Sequence, residues 1–170
     1  MKNSDSGVEG TDCQIGIVVS TFNEAVTSRL LAGAESTLTQ LGTPQDHRQV
    51  IRVPGAFEIP LIAKTLAQSR RFDAIICLGA VIRGETPHFD YICAETSRGI
   101  GHAALETGIP IIFGVLTTDT VDQAMERSGP PERNKGADAA RTAVEMALLM
   151  KDLSKTSIRQ SGFLREPTQS

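Results

Sequence analysis

AIICLGAVI, residues 74–82, is the most apolar of the strand-like segments of this chain, and it decides the fold. A continuous apolar run of this length is typical of a strand that is buried on both faces in a parallel sheet. Shorter apolar runs predict three further strands, over residues 15–19, 49–53 and 109–116. Because parallel strands need long crossover connections, we expect helices between them.

The segments between these runs carry the start and stop signals of helices. Thr21-Phe22-Asn23-Glu24 and Thr120-Val121-Asp122-Gln123 both read as capping boxes, in which side chains bond the free amides at a helix start. An apolar stripe at helical spacing over residues 140–148 predicts a final helix, with Arg141 and Glu145 on its opposite side. The predicted helices run from the first capping box to Gly42, from Ile59-Pro60 to about Arg70, from Phe89 to Glu106, from Thr120 to Gly129, and through the stripe to Leu153.

Right-handed crossovers place helices on both faces of such a sheet, so the expected fold is an α/β three-layer sandwich with a four-stranded parallel sheet. At 170 residues the chain has the usual size of one domain. We assign the domain to residues 14–153, a flexible N-terminal segment to 1–13, and a polar C-terminal tail to 154–170. Ligands of these sheets lie beyond the carboxyl ends of the strands, where we expect the site.

Composition excludes several classes of partner. Lys plus Arg number 17 against 20 Asp plus Glu, and no basic block is present to bind nucleic acid or an anionic membrane. Without an apolar run of about 18 residues or a signal peptide, a cytoplasmic protein is expected. The three cysteines are too widely spaced for a metal motif, so no metal is expected, and Cys77 is interpreted as a small buried apolar residue.

The residues that follow the strands have complementary chemistry. Phe22 can stack on a flat ring, and the Glu58 carboxylate can accept hydrogen bonds from hydroxyl groups. The turn at Gly84 offers backbone amides to an anion, and His88 beside it can move protons near neutral pH. Taken singly, these residues also fit structural roles: a hydrophobic staple for Phe22, a first-turn charge for Glu58, a surface histidine for His88. The four predicted strand exits are 21–23, 54–58, 83–88 and 117–119.

Three strings together, in this order and at this spacing, resemble the lumazine synthases: VPGAFEIP at 53–60, GAVIRGETPH at 79–88 and NKG at 134–136. The resemblance covers about residues 15–153 and implies a flavodoxin-like sandwich. Other flavodoxin-like or response-regulator-like chains share the strand pattern but not these turns. The turn at Gly84 also lacks the Lys and the glycine count of a nucleotide-binding P-loop, which excludes that motif.

The resemblance assigns roles to residues at the first three strand exits. Those implied at the pyrimidine ring of one substrate are Phe22, Val81 and Ile82, the last two through main-chain groups. Those implied for the rest of that substrate, including its ribityl chain, are Ala56, Phe57 and Glu58. Those implied at the phosphate of the second substrate are Gly84, Glu85 and Thr86, and His88 is the implied proton carrier.

The resemblance further implies a homo-oligomer in which neighbouring subunits share each active site. Phe113, Arg127 and Lys135 then come from the adjacent chain, and Arg127 pairs with the phosphate. Asp138, one turn after Lys135, is expected to orient these cations. A pentamer and an icosahedral cage of pentamers are both compatible with the sequence, and riboflavin synthase is a candidate partner.

The implied activity is a transferase reaction of riboflavin biosynthesis. It condenses 5-amino-6-(D-ribitylamino)uracil with 3,4-dihydroxy-2-butanone 4-phosphate to give 6,7-dimethyl-8-ribityllumazine, phosphate and water. Because every step moves protons, no cofactor is expected. The alternative is a non-catalytic flavin- or lumazine-binding protein on the same fold, which needs Phe22 and Glu58 but not His88 or Arg127. Cage formation is a further role that the sequence leaves open.

Overall fold

The sheet of the computed structural model, which describes residues 9–161, has four parallel strands in the order β2-β1-β3-β4. The strands are β1 (Ile15–Ser20), β2 (Arg48–Val53), β3 (Ala74–Ile82) and β4 (Ile111–Thr118). All of β1 and the first seven residues of β3 are buried, as their continuous apolar sequences predict. Cys77 in β3 is fully buried, and this burial raises the pKa of its thiol.

Five helices cover the two faces of this sheet: α1 (Glu24–Gln40), α2 (Ile59–Gln68), α3 (His88–Thr107), α4 (Val121–Arg127) and α5 (Lys135–Ser161). One core cluster joins the sheet to α1, α4 and α5, and a second cluster on the opposite face joins it to α2 and α3. The predicted three-layer α/β/α sandwich is confirmed. Among the helices of residues 9–161, none has both the length and the apolarity needed to cross a bilayer.

The strand order places a crevice between the carboxyl ends of β1 and β3. From β1 the chain crosses to β2 at one edge, whereas from β3 it crosses to β4 at the other edge. The helices that follow these two central strands, α1 and α3, therefore leave towards opposite faces of the sheet. At such a divergence, α/β proteins bind their ligands.

Two close helix contacts depend on glycine. A Cβ added at Gly136 in α5 would overlap the backbone carbonyl of Leu30 in α1. A Cβ at Gly99 in α3 would lie 2.8 Å from the Cβ of Pro60 in α2. Gly99, which weakens α3 by helix propensity alone, therefore permits the close approach of α2 and α3.

The predicted span of β4, residues 109–116, is shifted in the structure to Ile111–Thr118. β4 pairs with β3 as far as Ile82, which lies opposite Thr118, so the length of its partner extends the strand. At the other end, the Pro110 carbonyl accepts the first hydrogen bond, from the Ile75 amide. The fourth strand exit is consequently Asp119 and not the whole of 117–119.

The predicted capping box at Thr21 is wrong. The Thr21 and Phe22 amides donate to the carbonyls of Val53 and Pro54 at 2.8 and 3.0 Å, which continues the contact between β1 and β2 beyond the strands. Helix α1 begins only after Asn23, which has a left-handed φ of 60° and makes no side-chain cap. The second predicted box, at Thr120, is confirmed with both of its hydrogen bonds.

Ordered structure continues beyond both predicted ends of the domain, residues 14 and 153. Helix α5 continues through residues 154–161, which were expected to belong to a tail, because no Gly or Pro interrupts it between Gly136 and Gly162. Near the other end, the Gly10 amide donates to the Leu41 carbonyl at 2.7 Å and Cys13 is fully buried, so residues 9–13 are held by the domain. The rest of the two predicted terminal segments, residues 1–8 and 162–170, lies outside the described residues.

Candidate active site

The exit of β1 is tied to the neighbouring strands by Asn23. Its side-chain amide donates to the Ala80 carbonyl of β3 at 2.8 Å, across the crevice between β1 and β3. Asn tolerates the left-handed conformation required here better than most residues. The preceding ring, Phe22, is 71% exposed, which rules out a hydrophobic staple and leaves its face open to a ligand.

The exit of β2 is a tight turn. Ala56–Glu58 form one turn of 3₁₀ helix that leads directly into α2, whose first residue, Ile59, is completely buried. The Glu58 carboxylate folds back over Gly55: one oxygen lies 3.0 Å from the point where a Cβ at Gly55 would stand. Because Gly55 has no side chain, the Glu58 carboxylate can lie directly against it.

The exit of β3 is a polar turn over residues 83–87 that opens helix α3 at His88. Within residues 9–161, the amides of Gly84, Glu85 and Thr86 donate no hydrogen bond. Free amides close to the start of a 20-residue helix form a natural anion site, because the helix dipole adds partial positive charge there. The Glu85 side chain is exposed and does not border the cavity, so only its backbone can serve a bound anion.

These three exits enclose a cavity of about 660 Å³, within the size range of small-molecule sites. Nine of the ten residues that sequence reasoning assigned to these exits line it, all except Glu85: Phe22, Ala56, Phe57, Glu58, Val81, Ile82, Gly84, Thr86 and His88. Asn23, Phe89 and Ile92 also line this cavity, and sequence reasoning missed them. We call it the exit cavity.

The remaining predicted residues lie in a different place. Phe113, Arg127, Lys135 and Asp138 line a second cavity of about 560 Å³ alongside the edge strand β4, which we call the edge cavity. Within residues 9–161, the two cavities have no lining residue in common. The chain therefore carries two separate clusters of candidate site residues.

The charges of the edge cavity differ in part from expectation. Asp138 accepts from Lys135 Nζ at 2.9 Å and from Arg141 at 3.1 Å, whereas the Arg127 guanidinium donates to the Gln123 carbonyl. Asp138 thus pairs with Lys135, and its second cation is Arg141 and not the expected Arg127. Hydrogen bonding from Lys135, with a further contribution from Arg141, holds the pKa of Asp138 below its usual value. In the described part of the chain, no three His, Cys, Asp or Glu side chains gather as metal ligands.

Asn134 fixes the start of α5, the helix that carries Lys135 and Asp138. Its buried side-chain oxygen accepts from the Gly136 and Ala137 amides at 2.8 and 3.1 Å, which caps the start of α5. Its amide nitrogen donates to the carbonyls of Arg29 and Ser128 at 3.0 and 3.1 Å. The NKG string therefore combines a buried cap, a cation and a close helix contact. An Asn a few residues before the apolar stripe of the last predicted helix was the available signal.

The part of the chain that is similar to known proteins contains both cavities. The family model for 6,7-dimethyl-8-ribityllumazine synthase matches residues 12–151. A curated 6,7-dimethyl-8-ribityllumazine synthase of Syntrophus aciditrophicus (strain SB) is 59% identical over 140 residues, which cover 82% of this chain and 91% of that relative. The residues that line the exit and edge cavities, from Phe22 to Thr142, all fall inside the matched region.

Proposed function

Because the chain belongs to the 6,7-dimethyl-8-ribityllumazine synthase family, we propose that its exit cavity binds both substrates of that reaction and that the edge cavity of a neighbouring subunit completes the site. The protein is a transferase of riboflavin biosynthesis with lumazine synthase activity. Lumazine synthases form homo-oligomers. In the proposed arrangement each pocket lies between two subunits, and its residues divide into a pyrimidine side and a phosphate side.

The pyrimidine substrate, 5-amino-6-(D-ribitylamino)uracil, stacks on Phe22. This assignment is supported by the exposed ring of Phe22 at the mouth of the exit cavity and by the end of β3 beside it. The main-chain groups of Val81 and Ile82 meet the edge of the substrate ring. Its ribityl chain lies along Ala56 and Phe57, where its hydroxyl groups donate to the Glu58 carboxylate.

The second substrate, 3,4-dihydroxy-2-butanone 4-phosphate, has its phosphate at the turn that precedes α3. Support comes from the amides of Gly84, Glu85 and Thr86, which donate no hydrogen bond to any described residue, and from the N-terminus of the helix after them. Arg127 of the adjacent subunit adds a charge-assisted pair to the same phosphate. The neighbour's Phe113 and Lys135 close the pyrimidine side of the pocket.

The single observation that carries this arrangement is the separation of the two clusters within one chain. The residues that we propose for one pocket lie in two cavities of the same subunit, which supports a second subunit as the source of the missing half. Phe22, Phe57 and Phe113 are 71%, 56% and 44% exposed in the single chain, as expected of rings that a ligand or a neighbour covers. Contact between unlike surfaces forms a ring when the rotation between subunits closes, and we propose a pentamer. Negative-stain microscopy distinguishes single rings from cages of pentamers.

The reaction is a sequence of proton transfers and one loss of phosphate. The 5-amino group adds to the ketone and water leaves, which forms an imine. Loss of a proton from the adjacent carbon then expels phosphate with the C–O bonding electrons, and the enol becomes a ketone. The ribityl-bearing nitrogen adds to this ketone, and a second water leaves as the ring closes.

Three kinds of residue serve these steps. His88, next to the phosphate turn, donates and accepts the protons. Arg127 and the amides of the turn stabilise the charge that phosphate gains as it departs. The stacked and hydrogen-bonded groups of the exit cavity hold the two reactants together, which removes much of the entropic barrier to their reaction.

The direct test mixes the purified protein with both substrates and follows the lumazine by its absorbance and the phosphate by a colorimetric assay. We expect the two products in equal amounts. Tight flavin binding without turnover would instead support the non-catalytic carrier.

A further inference from the structure

Arg83 lies between the exit cavity and the edge cavity of a single chain. It follows β3 directly, and its backbone amide donates to the Thr118 carbonyl at the end of β4 at 2.9 Å. The Nε atom of its guanidinium lies 2.8 Å from an Asp119 carboxylate oxygen. Asp119 in turn directly precedes Thr120, the cap of α4, and Arg127 ends that helix.

The same guanidinium reaches the beginning of α3. Its Nη1 atom lies 3.3 Å from an Asp90 carboxylate oxygen, and its carbon lies 4.3 Å from the centre of the Phe89 ring, within the range of a cation–π contact. Arg83 thus contacts residues on the far side of the turn that it begins. The side chain closes residues 84–88 into a loop whose two ends are held together.

This turn has little else to fix its shape. A Cβ at Gly84 would meet no atom of the described residues within 4 Å, and residues 84–88 are exposed. Exposed ion pairs contribute little to stability, and the side chains of Arg83, Asp90 and Asp119 are 45%, 63% and 66% exposed. The contacts of Arg83 therefore matter for the geometry of the turn rather than for the stability of the fold.

We propose that Arg83 is a positioning residue of the reaction: through Asp119 and Asp90 it fixes the turn that presents the Gly84–Thr86 amides and His88 to the butanone phosphate. The inference rests on the proposed function and extends it, since Arg83 itself does not border either cavity. Its planar fork suits this task because it can meet two carboxylates at once, which a lysine ammonium does less well.

The experiment compares Arg83→Met, Arg83→Lys, Asp119→Asn and the double variant Arg83→Met/Asp119→Asn. Steady-state kinetics give kcat and KM for each substrate, and inhibition by inorganic phosphate reports on the phosphate side of the pocket separately from its pyrimidine side. Arg98→Met is the matched control, because Arg98 is an exposed arginine of α3 with an ion pair of its own, to Glu95 at 3.1 Å. Melting temperatures are measured for all variants.

For Arg83→Met we expect kcat/KM for the butanone phosphate to fall about 10- to 100-fold, as misplacement by about 1 Å does elsewhere. Inhibition by phosphate weakens, while KM for the pyrimidine substrate and the melting temperature stay near the wild-type values. Asp119→Asn reproduces most of this loss, the double variant is no worse than Arg83→Met, and Arg83→Lys recovers part of it.

Three results would overturn the inference. Activity of Arg83→Met within twofold of wild type removes Arg83 from the reaction, and a loss in Arg83→Met that Asp119→Asn does not share assigns Arg83 directly to the substrate. If Arg83→Met does not fold, wild-type kinetics of Asp119→Asn would show that the contact between Arg83 and Asp119 does not position the turn. A wild-type protein without turnover would contradict the proposed function instead, so the two failures are distinguishable.

Discussion

Phe22 and His88 are positioned by their backbones, whereas their side chains remain exposed. The Phe22 amide is bonded to the Pro54 carbonyl, and His88 is the first residue of α3. Truncating either side chain therefore removes few packing contacts. A loss of activity at these positions can be interpreted as a loss of function and not of folding.

His88→Ala is predicted to lower kcat about 10- to 100-fold without abolishing turnover, at or below the low end of general acid–base effects, because water can also carry the protons. Lumazine formation under saturating substrates is the measurement. His102→Ala is the control, since His102 is an exposed histidine of the same helix outside both cavities. A rate within twofold of wild type would remove His88 from the mechanism.

Arg127→Ala is predicted to reduce kcat/KM more, by about 10²- to 10³-fold, because the departing phosphate loses a charged donor. The measurement varies the butanone phosphate at a fixed concentration of the pyrimidine substrate. Arg133→Ala serves for comparison, because Arg133 is an exposed arginine nearby that pairs with Glu126 at 2.6 Å. Unchanged kinetic constants for the butanone phosphate in Arg127→Ala would show that the assignment is wrong.

Asp138→Asn is expected to change how the stability of the protein depends on pH. Since the pKa of Asp138 is lowered by Lys135 and Arg141, the wild-type carboxylate contributes stability fully above its unfolded pKa and loses it as the pH falls through the lowered folded value. The variant should therefore unfold slightly more easily at pH 7, by less than about 1 kcal/mol because the pair is exposed, and equally easily in strong acid. Urea denaturation from pH 2 to pH 7 measures this, and a difference that persists unchanged at pH 2 would contradict it.

At the scale of helices and strands, local signals were sufficient where no neighbouring strand competed with them. The capping box at Thr120 forms, whereas the similar pattern at Thr21 does not, because the Thr21 and Phe22 amides are already bonded to the exit of β2. The end of β4 was misplaced for a related reason: its length follows that of β3. Such sheet contacts between distant residues leave no mark on local spacing.

The candidate site was predictable where several signals coincided in sequence, as at residues 79–88. The roles of Asn23 and Asn134 were missed, although both lie in segments that the sequence singled out, because their partners, the carbonyls of Ala80 and Arg29, are distant in the chain. The expected partner of Asp138 was half correct: the helical spacing found Lys135 and equally permits Arg141, but it cannot reach Arg127 in another helix.

Asn134→Ala is predicted to destabilise the protein by about 2–4 kcal/mol, since it removes the cap of α5 and leaves buried groups without partners. The free energy of unfolding in urea is the measurement. Asn134→Asp retains the capping oxygen but cannot donate, so its loss should lie between wild type and Asn134→Ala. Equal stability of wild type and Asn134→Ala would show that the buried cap is unimportant.

At the scale of the whole molecule, we propose that one chain contributes to two different pockets. The exit cavity supplies Phe22, Glu58 and His88, and the edge cavity supplies Phe113, Arg127 and Lys135. In the proposed arrangement, a single subunit contains every required residue but cannot assemble one complete site. Activity should depend on assembly, and it should disappear under conditions that dissociate the ring without unfolding its subunits.

Subunit mixing tests this claim most directly. Arg127→Ala subunits, which keep the exit half, are co-refolded in equal amounts with Phe22→Ala/His88→Ala subunits, which keep the edge half, and each variant refolded alone is the control. In a randomly assembled ring, about one quarter of the pockets combine two intact halves, so activity well above the sum of the controls is predicted. If mixed rings assemble and show no more activity than that sum, the pocket is built within one chain and the shared-site account is wrong.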